Sequence, residues 1–146
     1  KTARVPAIGG GNFLLLSKNR ASCLAACEIA VNVMSKLDNV ITPFPGGVVR
    51  SGSKVGSKYK ALIASTNDAF CPSLKGITGS KLSKDVSAVM EIVINGLTKE
   101  DIDKAIRESL IAISKSKYKK DILSVSAGNY GGKLGQYHFH LRDILK

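Results

Sequence analysis

The sequence has no apolar run near the roughly 20 residues that a membrane-spanning helix requires. Its first residues, KTARVPAIGGGNF, contain neither an initiator methionine nor the apolar core of a signal peptide. The three cysteines, Cys23, Cys27 and Cys71, are odd in number and lie in apolar contexts, which is typical of reduced core thiols. We therefore expect a cytoplasmic protein without a membrane partner. The start at Lys1, just before a strand-like run, predicts that the chain is part of a longer polypeptide.

Acidic residues are also scarce, with 11 Asp and Glu against 22 Lys and Arg, which gives a net charge of +11. This balance favours an anionic partner: nucleic acid, an acidic membrane surface or a small polyanionic substrate. Charge alone does not choose among the three. At 146 residues and 44% hydrophobic composition, the chain is long enough to bury one core. We therefore expect residues 1–146 to form a single globular lobe.

Hydrophobic periodicity predicts a mixed order of strands and helices. Apolar runs predict strands at 12–16, 59–64, 86–95 and 122–127, and extended chain broken by prolines and a glycine pair at 40–50. Spacings of three and four predict a helix from the N-cap Asn19 to about Leu37, with a buried stripe of Leu24, Cys27, Val31 and Met34. A second helix is predicted from Thr98, with Asp101 completing a capping box, to about Lys117. The order predicts an α+β fold, a ferredoxin-like split βαβ two-layer sandwich with an antiparallel sheet and two main helices on one face.

The strand VSAVMEIVIN contains the most informative carboxylate. Alternation predicts two faces, one with Val86, Ala88, Met90, Ile92 and Ile94, the other with Ser87, Val89, Glu91, Val93 and Asn95. In a two-layer domain the sheet face without helices is usually wet, yet here two valines flank Glu91. We therefore expect a second lobe or another subunit to cover this face.

A carboxylate on a covered face loses hydration, which raises its pKa unless a cation or several donors compensate. Such a group can carry a proton or position an amine, so Glu91 is a candidate catalytic residue. The alternative is a strand glutamate that reaches a wet rim or pairs with a lysine of the basic loops.

The stretch TPFPGGVVRSGSKVGSKYK, residues 42–60, combines glycines with cationic and hydroxyl side chains. Glycine lets the backbone approach another surface, and these side chains are donors, so the loop is suited to bind an anion. The alternative is a solvated hairpin loop. It is not a P-loop, because Ser53 precedes Lys54 and no helix follows. Residues 65–67 end a predicted strand and either bind substrate or form a turn.

Metal ligands are not predicted. His138 and His140 alternate as some metal ligands do, but no third ligand is obvious. Cys23 and Cys27 share a helix face and lack a second pair of ligands nearby.

Five stretches together resemble one family: GGGNFLLL, ITPFPGGVVRSGSKVGSKYK, ASTNDAFCP, EIVINGL and SAGNYGGKLG. They are similar to the carboxyl-terminal half of formylmethanofuran:tetrahydromethanopterin formyltransferase, and the similarity covers nearly the whole chain. The subunit of that family is built of two ferredoxin-like lobes, so the resemblance implies an amino-terminal lobe that this chain does not include.

The resemblance implies formyl transfer between the amine of methanofuran and N5 of tetrahydromethanopterin, with both coenzymes as substrates and no metal or tightly bound cofactor. It also implies that Glu91, which matches the glutamate of the family's EIVINGL motif, lies in the active-site cleft. Amide-to-amine transfer needs a proton removed from N5 and one delivered to the departing amine, and one carboxyl group can serve both steps. Asn95 or glycine-loop amides are candidates to stabilise the oxyanion. The expected substrate contacts are Arg50, Ser51, Ser53, Lys54, Lys58, Ser65, Thr66, Asn67 and Asn95.

The expected protein partners are a second copy of the chain or the subunits of a formyltransferase/hydrolase complex. Two other functions stay open from the residues alone. A basic ferredoxin-like sandwich can bind RNA, but AVMEIVIN offers no aromatic residue for stacking and contains a carboxylate that repels phosphate. Alternatively, the lobe serves chiefly for oligomerisation or as a scaffold while the other lobe carries out catalysis.

Overall fold

The computed structural model describes residues 3–51, 67–77, 79–128 and 136–146. Its helices and strands, in chain order, are β1 (Ile8–Ser17), α1 (Arg20–Met34), β2 (Val40–Ile41), β3 (Val49–Arg50), β4 (Ala88–Gly96), α2 (Lys99–Lys115), β5 (Ile122–Ser126) and α3 (Leu141–Ile144). The strand predicted at 59–64 lies outside the described residues. No helix in the described ranges is long and apolar enough to cross a membrane.

The sheet is antiparallel throughout, and β4 and β1 are its central strands. On one side β1 pairs with β5; on the other, β4 pairs with both β2 and β3. Val40 lies opposite Gly96 and Val49 opposite Glu91, so β2 and β3 are two halves of one edge strand. This order, with both long helices on one face, confirms the predicted ferredoxin-like split βαβ sandwich.

The predicted helix starts are confirmed by their caps. The Asn19 side chain accepts a hydrogen bond from the backbone N–H of Ser22 at 2.8 Å, and Thr98 and Asp101 form a reciprocal capping box. The helices end earlier than predicted, at Met34 and Lys115. After Met34 the backbone N–H groups of Lys36 and Leu37 bond to carbonyls three residues back, so the chain tightens into turns.

The main core lies between the helices and one face of the sheet. Phe13 and Leu15 of β1 and Ile92 and Ile94 of β4 are fully buried there. In α2 the buried stripe contains Ile102, Ile106, Leu110 and Ile113. In α1 the buried row is instead Cys23, Ala26, Cys27, Ala30 and Met34. Leu24 was wrongly assigned to the core; it is 41% exposed, because it follows Cys23 and is turned about 100° away from the buried row.

A smaller core lies on the opposite face of the sheet. It contains Leu14, Leu16, Val86 and Val89, with Phe70 packed against it. Val86 was expected on the helix face, but β4 begins only at Ala88, so strand alternation does not apply to Val86. Residues 67–77 and 79–87 thus cover one end of this face. The other end, where Glu91 lies, is only half-buried, and its cover by a second lobe or subunit stays a prediction.

Candidate active site

Glu91 lies in the middle of the sheet, on the face opposite the two long helices. Leu14 of β1 and Val49 of β3 flank it in register on the two neighbouring strands. Its chain neighbour Ile92 is buried in the main core, so alternation directs Glu91 to the other side. The side chain is half-buried. The predicted position of Glu91, on the same face as Val89 and away from Ile92, is therefore confirmed.

Both carboxylate oxygens of Glu91 accept hydrogen bonds from asparagine amides. Oε1 accepts from Asn12 Nδ2 at 2.5 Å, and Oε2 accepts from Asn67 Nδ2 at 3.3 Å. Among the described residues Glu91 has no salt bridge; its charge is compensated by amide donors. Asn67, a predicted substrate contact, is thus adjacent to the predicted catalytic carboxylate.

Asn12 is held in turn by the backbone of Gly128. Asn12 lies on β1, diagonally across from Glu91, since it pairs with Val93. The backbone N–H of Gly128 donates to Asn12 Oδ1 at 3.0 Å. A Cβ at position 128 would lie 2.4 Å from Asn12 Nδ2, so this close approach requires glycine.

Asn95 lies further along the same face of β4, two positions beyond Val93. Its Oδ1 accepts a hydrogen bond from the backbone N–H of Gly10 at 3.2 Å. The oxygen of the amide is therefore engaged, and the Nδ2 donors are the part of Asn95 suited to an oxyanion.

Arg50 is separated from Glu91 by the sheet. It pairs with Met90, which packs against the main core, so Arg50 is at the edge of the helix face. With Arg20 and Lys75 it lines a cleft of about 460 Å³, to which the described part of the chain contributes no acidic residue. The structure thus places Arg50 in a cationic cleft and does not bring it to the carboxylate.

Ser51 is fully buried, and its Oγ has no hydrogen-bond partner among the residues that the structure describes. Its backbone N–H donates to the Val89 carbonyl at 3.3 Å, which continues the edge pairing of β3 by one residue. The remaining predicted contacts, Ser53, Lys54, Lys58, Ser65 and Thr66, lie outside the described residues.

Within the described ranges, no group of three or more His, Cys, Asp or Glu side chains is placed to hold a metal ion. All three cysteines are buried and free. The Cys23 thiol donates to the Leu15 carbonyl at 3.4 Å. A hydrogen bond with Cys23, together with burial, raises the pKa of the Cys27 thiol. Burial of all three thiols agrees with their predicted role as core residues, and the raised pKa of Cys27 makes that thiol unreactive.

A family model described as "FTR, proximal lobe" matches residues 1–144. The chain belongs to this family. The predicted resemblance, which rests on five stretches of the sequence, is confirmed.

Curated relatives of this FTR proximal lobe are named formylmethanofuran–tetrahydromethanopterin formyltransferase. One from Methylobacillus flagellatus is 62% identical over 144 residues, covering 99% of this chain and 48% of the relative. Another from Methanocaldococcus jannaschii is 48% identical over 143 residues, covering 95% of this chain and 46% of the relative. The chain thus spans about half the length of the curated relatives it matches.

Two solved structures share the fold of the FTR proximal lobe. One is the formyltransferase/hydrolase complex of Methylorubrum extorquens in complex with methylofuran, with 48% identity and a TM-score of 0.83 over 96% of this chain and 46% of that chain. The other is the formyltransferase of Methanosarcina barkeri, with 45% identity and a TM-score of 0.83 over 96% of this chain and 47% of that chain.

The structure adds two residues that sequence reasoning missed at this site of the FTR proximal lobe, Asn12 and Gly128. A signal for Asn12 was available, because alternation along β1 places it on the same face as Leu14. The hydrogen bond between Asn12 and Glu91 could not be predicted, because it depends on the register of β1 against β4.

Proposed function

We propose that the full polypeptide containing this lobe transfers a formyl group between the amine of methanofuran and N5 of tetrahydromethanopterin. The observation that carries the proposal is the 62% identity to a Methylobacillus flagellatus protein named for this pair of coenzymes. In this proposal residues 1–146 are a single ferredoxin-like lobe that forms the carboxyl-terminal half of the enzyme. An amino-terminal lobe covers the half-buried end of the sheet face around Glu91.

Glu91 is the catalytic residue in this proposal. The lone pair of N5 attacks the formyl carbon of formylmethanofuran, and the N5 proton passes to the carboxylate. The tetrahedral intermediate then collapses as the carbon–nitrogen bond to methanofuran breaks and Glu91 returns the proton to the departing amine. The carboxylate is regenerated, so the same group serves both directions of the reaction. The hydrogen bonds from Asn12 and Asn67 support this role because they hold the carboxylate in one orientation.

The oxygen of the tetrahedral intermediate carries negative charge and needs donors. Asn95 Nδ2 and the backbone amides of the glycine-rich segments supply them. Asn95 is suited to this role because its own oxygen is already bonded to Gly10, which leaves the amide nitrogen for the substrate. Asn67 lies close enough to Glu91 to contact the same substrate.

The anionic tails of the coenzymes bind to the basic loop. Its contacts are Arg50, Ser51, Ser53, Lys54, Lys58, Ser65 and Thr66. The cleft that Arg50 forms with Arg20 and Lys75 supports this part of the proposal, because its described lining concentrates positive charge and includes no acidic residue.

The two coenzymes are substrates in this proposal, and no tightly bound cofactor takes part. The enzyme acts in the cytoplasm, which agrees with three free buried thiols. Its protein partners are a second copy or the subunits of a formyltransferase/hydrolase complex. A Methylorubrum extorquens relative, 48% identical, is named as one component of such a complex and supports the second choice. Neither a membrane nor nucleic acid is a partner in this proposal. The described residues at the half-buried end of the open face include Asn12, Val49, Glu91, Val93 and Asn95, none of which has an aromatic ring for base stacking.

The test compares formyl transfer by the wild-type full polypeptide with that of Glu91→Gln, which keeps the shape and removes the titratable proton. Glu28→Gln, an exposed position on α1, is the matched control. We expect Glu91→Gln to lose about 10²- to 10⁴-fold in kcat, the range of general acid–base catalysis, while both coenzymes still bind. Glu28→Gln should match the wild type.

Two results would contradict the proposal in different ways. Wild-type protein that does not transfer a formyl group between these coenzymes would overturn the activity itself. Full activity in Glu91→Gln would retain the activity but assign catalysis elsewhere, which is what a scaffold role for this lobe predicts.

A further inference from the structure

The two oxygens of Glu91 have unequal partners. The bond from Asn12 to Oε1 is 2.5 Å, whereas the bond from Asn67 to Oε2 is 3.3 Å. We infer that Asn12 is a positioning residue that keeps Oε1 as a permanent acceptor, so that Oε2 is the oxygen that exchanges the proton with the reacting nitrogen. This inference rests on the catalytic role proposed for Glu91.

The orientation of the Asn12 amide follows from Gly128. The backbone N–H of Gly128 can only donate, so it selects the carbonyl oxygen of Asn12, 3.0 Å away. The amide nitrogen then has to face Glu91. Because the Gly128 group is a backbone N–H and cannot accept a hydrogen bond, the Asn12 amide cannot flip without losing this bond. Asn12 therefore presents a donor to Oε1 in every step of the reaction.

Steric contact holds the same arrangement. The absent Cβ of Gly128 would lie 2.4 Å from Nδ2 and 3.0 Å from Cγ of Asn12. The backbone of Gly128 is thus packed directly against the Asn12 amide. Any larger residue at position 128 would displace the Asn12 amide from the position in which it donates to Glu91.

This arrangement decides where the proton is held. A proton on Oε1 would make this oxygen a poorer acceptor and weaken the short charge-assisted hydrogen bond from Asn12. A proton on Oε2 disturbs only the longer contact from Asn67. The N5 proton therefore passes to Oε2 as the new carbon–nitrogen bond forms, and Oε2 returns it to the methanofuran amine as the old bond breaks. Oε1 takes no part in either transfer.

The test uses Asn12→Asp in the full polypeptide, which keeps the size of the side chain and replaces the donor with a carboxylate. Asn32→Asp, an exposed position on α1, is the control for the same charge change. We expect Asn12→Asp to lower kcat about 10- to 100-fold with little change in KM, since the lost contact positions the carboxylate. The acid limb of the pH–rate profile should move to higher pH, because a neighbouring negative charge makes Glu91 harder to ionise. Asn32→Asp should leave both unchanged.

Two further variants extend the test. Asn12→Ala removes the donor without adding charge, and Gly128→Ala displaces Asn12 without changing it. Both should move the acid limb in the same direction as Asn12→Asp, by a smaller amount. Thermal melting of each variant shows whether it folds.

Folded variants with a wild-type pH profile and reduced stability would overturn the inference, because Asn12 would then be structural only. Glu91→Gln distinguishes this outcome from failure of the catalytic proposal. An inactive Glu91→Gln beside an unshifted Asn12→Asp profile would remove only the role of Asn12. An active Glu91→Gln would remove the catalytic role itself.

Discussion

Two adjacent glycines between β2 and β3 both have a left-handed backbone conformation, but their surroundings differ. Gly46 has φ +68° and Gly47 has φ +74°, a region that L side chains rarely adopt. A Cβ at Gly46 would meet nothing within 4 Å, whereas one at Gly47 would lie 2.7 Å from Cγ2 of Val31. The pair therefore separates the cost of a left-handed conformation from the cost of a close approach.

We expect Gly46→Ala to lower the free energy of unfolding by about 1–2 kcal/mol, the left-handed penalty alone. Gly47→Ala should cost clearly more, because its Cβ also collides with Val31 on α1. Urea unfolding of both variants measures the difference. In a background that already carries Val31→Ala, Gly47→Ala should lower the free energy of unfolding by less, because the methyl groups that its Cβ would meet are gone. Equal losses in the two single variants would contradict the close packing of Gly47.

The sequence alone identified Glu91 as the charged residue of the site, but not Asn12 and Gly128, which fix its hydrogen bonds. Alternation along β4 was enough to assign Glu91 to the open face, because a strand has a period of two. Asn12 and Gly128 lie 79 and 116 residues from their partners Glu91 and Asn12, respectively. Contacts over such separations depend on register and on a loop, and a single sequence contains neither.

The amino end of α1 is tied to the turn that leads into β5. Asp121 accepts hydrogen bonds from Ser22 Oγ at 2.6 Å and from Asn19 Nδ2 at 3.2 Å, and its backbone carbonyl accepts from Lys18 N–H at 3.0 Å. The Ser22 hydrogen bond, followed by the one from Asn19, lowers the pKa of Asp121. The charged carboxylate therefore links the cap of one helix to the strand at the far edge of the sheet.

We expect Asp121→Asn to lower the free energy of unfolding at neutral pH, with a smaller difference from the wild type in acid. The pKa of Asp121 is lower in the folded protein than the value of about 3.9 in an unfolded chain. Its contribution is therefore complete above about pH 4 and is lost as pH falls through the folded value. Urea unfolding at pH 7 and near pH 3 measures it. Asp38→Asn, an exposed position, is the control for loss of charge, and a constant difference at both pH values would count against the link.

The helices were more predictable than the edge of the sheet. Their starts depend on local caps, Asn19 and Thr98 with Asp101, that the sequence displays within four residues. The edge strand was predicted only as extended chain, because Pro43 and Pro45 obscured its two short halves. The error at Leu24 had another cause: two neighbouring rows of α1 are apolar, and packing in the main core selected the row with Cys23.

The whole molecule carries an unbalanced charge. Its net charge is +11, and the three ion pairs in the described ranges join residues three or four positions apart on the surface. Such local pairs contribute little to stability. Repulsion among the remaining lysines and arginines thus opposes the compact state.

We expect the melting temperature to rise as NaCl is increased from about 10 mM to about 150 mM, since the Debye length shrinks from about 30 Å to about 8 Å. The double variant Lys36→Glu with Lys119→Glu, both exposed positions, reduces the positive charge and should respond less to salt. An equal response in wild type and variant would indicate that screening of the net charge is not the cause.

The topology was predictable at this scale because the order of strands and helices permits few compact arrangements. What covers the open face was only partly predictable. Phe70 and Leu82 cover one end, but no periodic pattern marks them as core, since they belong to an irregular segment.

The edge strand is interrupted by a turn, yet its two halves face the same sides of the sheet. Ile41 pairs with Asn95 and Val49 with Glu91, so the edge carries four more residues than the stretch of β4 beside it. Because that excess is an even number, the residues after the turn face the same sides as they would in an unbroken strand. A one-residue slip of β3 against β4 would turn Arg50 toward the carboxylate and Val49 toward the core. The pairing of Val49 with Glu91 therefore decides on which side of the sheet the Arg50 charge lies.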